Sequence, residues 1–197
     1  MRVVVLSAFA ERIASTLLKS DDDVIQLADA ASDEDIVRQK PEFIVCFSTR
    51  RILRSSVRSI CPAVNLHASY LPHTRGPNPI IWRWIVGEPH GVSIHQIDGG
   101  VDTGPILVQE LIANPTKESL HQSRLESAEH LSELFSKKWP EIRTRAIEPI
   151  AQSKFDGSTY TFQHQKPFED LLRPYAHAPL DELLALIRLR LGTKADR

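Results

Sequence analysis

The sequence predicts an α/β fold: a mainly parallel, twisted sheet with helices on both faces. Three observations carry that expectation. Val3-Val4-Val5-Leu6 and Phe43-Ile44-Val45-Cys46-Phe47 are short, unbroken apolar runs rich in β-branched residues, as in strands buried on both sides. Segments with apolar residues at helical spacing follow them. Strands that alternate with helices need crossover connections, and crossovers give parallel pairing.

The elements follow in order. Val3 to Leu6 is the first strand and Ser7-Ala8-Phe9 its turn. Ala10 to Lys19 carries Ile13, Leu17 and Leu18 on one helical face. Asp21-Asp22-Asp23 reads as a solvated turn, Val24 to Leu27 as a weak second strand, and Asp33 to Arg38 as a short helix. Phe43 to Phe47 is a strand, Thr49 to Leu53 the loop at its carboxyl end, Ser55 to Ile60 a short helix, and Ala63 to His67 the next strand. Ligands of such sheets sit beyond the carboxyl ends of the strands, so Thr49 to Leu53 and Asn65 to Tyr70 are the loops to watch. Asn78 to Val86 is a helix with Ile81, Trp82 and Ile85 inward; of Trp82 and Trp84, one belongs to the core and one is partly exposed. Gly91 to Ile97 alternates and is a strand, Gly99 to Gly104 a loop, and Pro105 to Glu110 a strand. Ser119 to Arg145 is the longest helix, kinked or split by Pro140. Phe155-Asp156-Gly157 between Pro149 to Gln152 and Ser158 to Phe162 signals a hairpin. Leu180 to Leu191 is an amphipathic helix, and Gly192 begins a frayed tail. The expected organisation is residues 1–148 as the catalytic domain and 149–197 as a hairpin-and-helix extension.

Composition narrows the function. Basic and acidic residues nearly balance, 24 against 25, which argues against a general binder of nucleic acid or membrane surfaces. Cys46 and Cys61 lack paired metal-ligand spacing and read as two buried thiols in a reducing compartment. No apolar run reaches the roughly 18 residues of a membrane span, and the start carries no signal-peptide cleavage pattern. The expectation is a cytoplasmic protein without a metal centre.

Asn65 and His67 lie two apart on one strand, so their side chains share a face. Asp102 sits between Gly100 and Gly104 in a loop joining two strands. A histidine near neutrality exchanges protons, a carboxylate fixes its tautomer and supports its cation, and an amide N–H donates to a developing oxyanion. Such a set suits attack of a neutral amine on an acyl carbon. No GxSxG nucleophile elbow occurs, which favours direct transfer over a covalent acyl-enzyme.

Four motifs then fall in sequence: Asn65 to Pro72 (NxHxSxLP), Arg75 to Trp82 (RGxxPxxW), Gly91 to His95 (GVSIH) and Asp98 to Ile106 (DxGxDTGxI). In this order, through Gln109, they resemble the formyltransferases that use N10-formyltetrahydrofolate. That resemblance implies a Rossmann-like fold, with Asn65, His67 and Asp102 as the catalytic set. It implies that Arg51, Ile52 and Leu53 flank the pterin ring, with the backbone of Asp98, Gly99 and Val101 as the other wall. Tyr70, Arg75 and Asn78 would line the acceptor side; Tyr70 also reads as packing and Arg75 as loop-shaping. His95 matches a second family histidine and reads equally as a buried structural one.

The acceptor follows from departures. Ser7-Ala8-Phe9-Ala10 stands where the glycinamide ribonucleotide branch has a Gly-Ser-Asn phosphate loop, and the N-terminal half before Asn65 is short. About 45 residues after Ile150 are too few for the barrel of the tRNA branch. The remaining branch formylates an amino group of a nucleotide-linked deoxysugar, and its members usually pair as homodimers. The implied activity is formyl transfer to a primary amine of a small molecule, without nucleic acid or membrane. The alternatives are a formyltetrahydrofolate hydrolase and an inactive folate-binding module.

Overall fold

The computed structural model describes residues 1–7, 11–153 and 156–192. Six strands form one sheet in the order β2-β1-β3-β4-β5-β6: β1 (Arg2–Ser7), β2 (Asp23–Leu27), β3 (Phe43–Phe47), β4 (Ala63–His67), β5 (Gly91–Gln96) and β6 (Ile106–Leu111). β1 to β4 are parallel. β5 runs antiparallel to β4, and β6 antiparallel to β5. The helices are α1 (Glu11–Lys19), α2 (Asp33–Arg38), α3 (Ser55–Arg58), α4 (Pro79–Val86), α5 (Leu120–Arg143), α6 (Phe162–Gln165) and α7 (Leu180–Gly192), with a 3₁₀ turn at Glu169–Leu171.

Each face of the sheet has its own apolar layer. Val3, Val5, Val45, Val64, Leu66, Val92 and Ile94 pack against Ile13 and Leu17 of α1 and Leu131, Phe135 and Trp139 of α5. Residues of the opposite parity, Val4, Leu6, Ile44, Cys46 and Ala63, pack with Ile36 of α2 and Val57 of α3. Alternation along a strand sends successive side chains to opposite faces, so a continuous apolar run feeds both layers. A third cluster joins Ile80, Ile81 and Trp82 of α4 to Phe168, Leu171, Leu172 and the α7 residues Leu183, Leu184 and Ile187. Each of those side chains contributes roughly 2 kcal/mol on burial. The half-exposed Arg190–Asp170 pair at 3.4 Å adds under about 1 kcal/mol, so apolar contact holds the tail.

Several expectations change. Ser7 closes β1 rather than opening a turn, while Ala8, Phe9 and Ala10 lie outside the described residues. Asp22 is buried, not solvated: it accepts from Trp139 Nε1 at 2.8 Å and from Arg143 at 2.8 Å, with the N-terminal amine 3.5 Å away. Pro140 does not split α5, which runs on for less than one turn beyond it to Arg143, and Thr144 Oγ1 donates to the Pro140 carbonyl at 2.8 Å. α4 also buries Ile80 and Arg83, and of the two cysteines only Cys46 is fully buried. Gly192 belongs to α7, and residues 193–197 lie outside the described set. The two arms of the expected hairpin do not pair with each other. Ile150 bridges antiparallel to Ile106, and Thr159 bridges parallel to Arg75. The physical reason is that each arm finds open backbone groups elsewhere, one on edge strand β6 and one on the loop after β4. Phe155 of that expected turn lies outside the described residues.

Candidate active site

The β4/β5 pair has one oily face and one polar face. Val64, Leu66, Val92 and Ile94 meet α5. Asn65 lies opposite His95, and His67 opposite Ser93, so four polar residues share the other face. Asn65 is the third residue of β4. The polar cluster therefore sits on the face of the sheet, not only beyond its carboxyl edge, because β5 runs backwards and returns the 97–105 loop beside the start of β4, where Ile97 N–H bonds Ala63 O. Asp102 projects from that loop with φ 53°, a left-handed pose that a short polar side chain tolerates.

The structure brings Asn65, His67 and Asp102 together, with His95. Asn65 Nδ2 donates to Asp102 Oδ1 at 3.1 Å and lies 3.3 Å from His95 Nε2. Asp102 Oδ2 accepts from Gly76 N–H at 2.9 Å. His67 Nδ1 stands 3.6 Å from Asp102 Oδ2, too far for a hydrogen bond but close enough for charge to be felt. His67 Nε2 meets the Thr74 carbonyl at 3.2 Å. A carbonyl can only accept, so Nε2 carries the proton and, in the neutral ring, Nδ1 holds the lone pair. His95 Nδ1 donates to Gln96 O at 2.8 Å by the same logic, leaving Nε2 to accept from Asn65.

Burial works against ionised Asp102, but His67, His95 and the Gly76 N–H outweigh it and hold the carboxyl well below the usual carboxylate range. Burial pulls His67 below its ordinary value, with Asp102 opposing. Near neutrality the cluster is thus a carboxylate beside a neutral imidazole, a stored base whose cation has a waiting partner.

Arg58 of α3 lies beside both segments expected to flank a flat ring. Arg58 Nε donates to Leu53 O at 3.0 Å, and its guanidinium lies 3.8 Å from where a Cβ on Gly99 would stand. Ile52 is 71% exposed and Val101 46% exposed, so both offer apolar surface, whereas Leu53 is buried. Arg51 pairs with Asp33, and with Ile52 and Arg54 it borders a cleft of about 400 Å³. Asp98 Oδ1 accepts from Gly100 N–H at 2.9 Å and Thr103 Oγ1 at 2.7 Å, shaping its own loop. Among the described residues no group of three or more His, Cys, Asp or Glu could hold a metal ion.

The acceptor-side candidates are more committed. Half-buried Tyr70 packs over Gly91. Arg75 is buried, with Nε donating to Gln152 at 2.9 Å and Nη2 to Ser153 O at 3.1 Å. Asn78 Nδ2 donates to Gln165 at 2.6 Å. Sequence reasoning missed Thr74 and Gln152. Gln152 Nε2 donates to Asp102 O at 3.0 Å and Gly104 O at 2.7 Å. Thr74 left no signal in residue type because it acts through its main-chain carbonyl, and Gln152 left none because its partners lie about 50 or more residues away in sequence.

Fold and site together define an α/β protein with a buried acid–base cluster suited to acyl transfer. The formyl transferase family profile matches residues 5–136, and the chain belongs to that family. A methionyl-tRNA formyltransferase from Campylobacter fetus is 35% identical over 146 residues, 71% of this chain and 47% of the relative. One from Halorhodospira halophila is 38% identical over 137 residues, 66% of this chain and 43% of the relative. The chain spans less than half the length of these curated relatives. Among solved structures, the formyltransferase PseJ from Anoxybacillus kamchatkensis, in complex with UDP-4,6-dideoxy-4-formamido-L-AltNAc and tetrahydrofolate, superposes with TM-score 0.82 at 28% identity, covering 93% of this chain and 97% of that one. The methionyl-tRNA formyltransferase from Clostridium thermocellum shares the fold, with TM-score 0.67 at 19% identity over 91% of this chain and 82% of that one.

Proposed function

We propose that this chain transfers a formyl group from N10-formyltetrahydrofolate to a primary amine of a small molecule, an amino-deoxysugar nucleotide. The observation that carries the chemistry is the lone pair of His67 Nδ1 held 3.6 Å from the Asp102 carboxylate, with the Asn65 amide on the same face. The acceptor class is supported by the near-complete mutual coverage with PseJ, whose complex holds a formamido-sugar nucleotide. Nucleic acid is not part of this reading, although the curated relatives are methionyl-tRNA formyltransferases.

The residues fit a reduced pterin. Ile52 and Val101 present apolar surface, and the segment from Asp98 to Val101, whose Gly100 N–H is already taken by Asp98 Oδ1, would offer its remaining peptide groups to a hydrogen-bonding ring edge. When bound, the folate supplies a formyl carbon open to attack. His67 Nδ1 would take the proton as the amine adds to the formyl carbon and return it to N10 as the carbon–N10 bond breaks, with Asp102 stabilising the imidazolium between the two steps. Asn65 donates an N–H to the formyl oxygen, exchanging its longer contact, the 3.3 Å one to His95. Tyr70 borders the acceptor, while Arg75 and Asn78 shape its walls through Gln152 and Gln165.

The test is tetrahydrofolate release by the purified protein given the folate donor and, in turn, UDP- and dTDP-linked amino sugars, simple amines and methionyl-tRNA. Turnover with an amino-sugar nucleotide, absent in His67→Ala, is the expected result. Turnover on methionyl-tRNA alone overturns the acceptor, and formate release that needs no amine makes the protein a hydrolase.

A further inference from the structure

Thr74 is an unusual residue to find beside a catalytic histidine. Its φ is 50°, in a region that β-branched residues rarely enter. It is wholly buried, and its carbonyl accepts from His67 Nε2 at 3.2 Å. Such a pose persists only when the surroundings over-determine it.

Within the loop, Ser69 Oγ donates to the His73 carbonyl at 2.7 Å; from outside it, the hold comes from one residue of the C-terminal segment. Ser158 Oγ accepts from Thr74 N–H at 2.8 Å, and the Ser158 carbonyl accepts from Arg75 N–H at 3.0 Å. The peptide units on both sides of Thr74 are therefore held by Ser158. Its hydroxyl proton is committed elsewhere, donated to Glu88 Oε2 at 2.7 Å. That commitment turns the oxygen lone pairs toward Thr74. Two glycines let the strands of chain close on each other. Gly157 has φ +93°, and a Cβ there would stand 2.1 Å from Pro72 O; Gly76 has φ +97°, and a Cβ there would stand 2.0 Å from Tyr160 O.

We infer that Ser158, locked by Glu88, is a positioning residue: it holds the Thr74 carbonyl against His67 so that the proton stays on Nε2 and the lone pair on Nδ1. The competition is concrete. Asp102 Oδ2, 3.6 Å from Nδ1, attracts an N–H of its own. Without the Thr74 acceptor the neutral ring would carry its proton on Nδ1, facing the carboxylate, and would present no base there. Ser158 touches neither His67 nor Asp102. Its catalytic meaning rests on the formyl-transfer reading, but the position of the proton is a property of the ligand-free protein.

The experiment reads the tautomer directly. Imidazole ¹⁵N shifts of the full chain, recorded at about pH 8 so that His67 is neutral, separate a protonated nitrogen from a bare one; a His67→Gln sample assigns the resonance. Wild type is expected to show Nε2 protonated and Nδ1 bare. Ser158→Ala shifts the population toward Nδ1–H, and Ser158→Thr, which keeps the hydroxyl, returns it. If Ser158→Ala does not fold, Glu88→Ala carries the test, with the same direction and smaller amplitude. Turnover in Ser158→Ala falls about tenfold, as for a buried donor left unpaired, with KM within about twofold, and Ser158→Thr recovers most of it. A folded Ser158→Ala whose His67 shifts match wild type overturns the inference even if the enzyme transfers formyl groups. A tautomer shift in a protein that formylates no amine sinks the transferase reading and leaves the positioning intact.

Discussion

In the proposed reaction, Asp102 and Asn65 act through the low-dielectric face they share with His67. Replacing either by alanine is expected to lower turnover on the order of 100-fold, the usual scale for a lost acid–base or oxyanion partner, with the fold retained by circular dichroism. The pH profile follows from the sign of the shift. Burial holds His67 below 6.5, so the basic form that accepts a proton persists into mildly acid solution. The acid limb of kcat/KM should therefore have its midpoint below 6.5. Asp102 opposes that shift, so Asp102→Asn should move the limb further down; an upward move would contradict the electrostatic account. His90 gives a second, separate pH effect. Burial, then Arg83 and Lys117, push it down to about 4. An unfolded chain binds that proton near 6.5, so His90 stabilises the fold fully above that value, and the contribution is lost as the pH falls toward 4. Urea midpoints measured across this window should fall less in His90→Phe than in wild type. Asn65 and His67 were legible from a two-residue spacing. Asp102 was singled out from its place between two loop glycines, but its contact with Asn65, 37 residues away, left no local signal. Thr74 was invisible, since its contribution is a carbonyl that any residue would have.

At the scale of elements, local pattern succeeded where an element's own residues decide it, by two-sided burial in the strands and by a cap in the surface helix. Asp33–Arg38, Phe43–Phe47 and Ala63–His67 stand where their spacing put them, and Ser32 and Asp35 close α2 with a capping box. The 149–162 segment failed for the opposite reason. Asp156-Gly157 is a turn signal, but a turn does not decide what its arms pair with. Here edge strand β6 and the loop after β4 offered better partners, and Gly157 serves a close approach to Pro72 rather than a hairpin. The Asp21-Asp22-Asp23 turn hid a similar long-range contact. Asp22 joins the end of α5 to the start of β2 through Trp139 and Arg143. Removing one member of a buried, hydrogen-bonded charge pair is expensive, so Asp22→Ala should cost about 3 kcal/mol in urea unfolding. Asp21→Asn, on an exposed side chain whose φ of 55° asparagine also tolerates, should cost within about 0.5 kcal/mol.

For the whole molecule, the question is whether residues 149–192 are an accessory or part of what makes the site work. Two independent contacts argue for the second. The apolar cluster around α4 is completed by Phe168, Leu171, Leu172, Leu183, Leu184 and Ile187, so ending the chain after Glu148 would expose Ile80, Ile81 and Trp82. Trp82 also loses the Tyr160 ring stacked on it at 4.1 Å. The same cut removes Gln152 and Ser158, which hold the main chain of Asp102 and of Thr74. An appendage that only enlarged a binding surface would leave the sheet intact when removed, with folate affinity and a slow transfer rate. A segment that is part of the core would take α4 with it. The chain ended after Glu148 should therefore aggregate or bind a hydrophobic dye, and protease should cut it first within residues 71–90. A soluble, dye-silent fragment that still turns over the folate donor would show that the sheet alone supports the site.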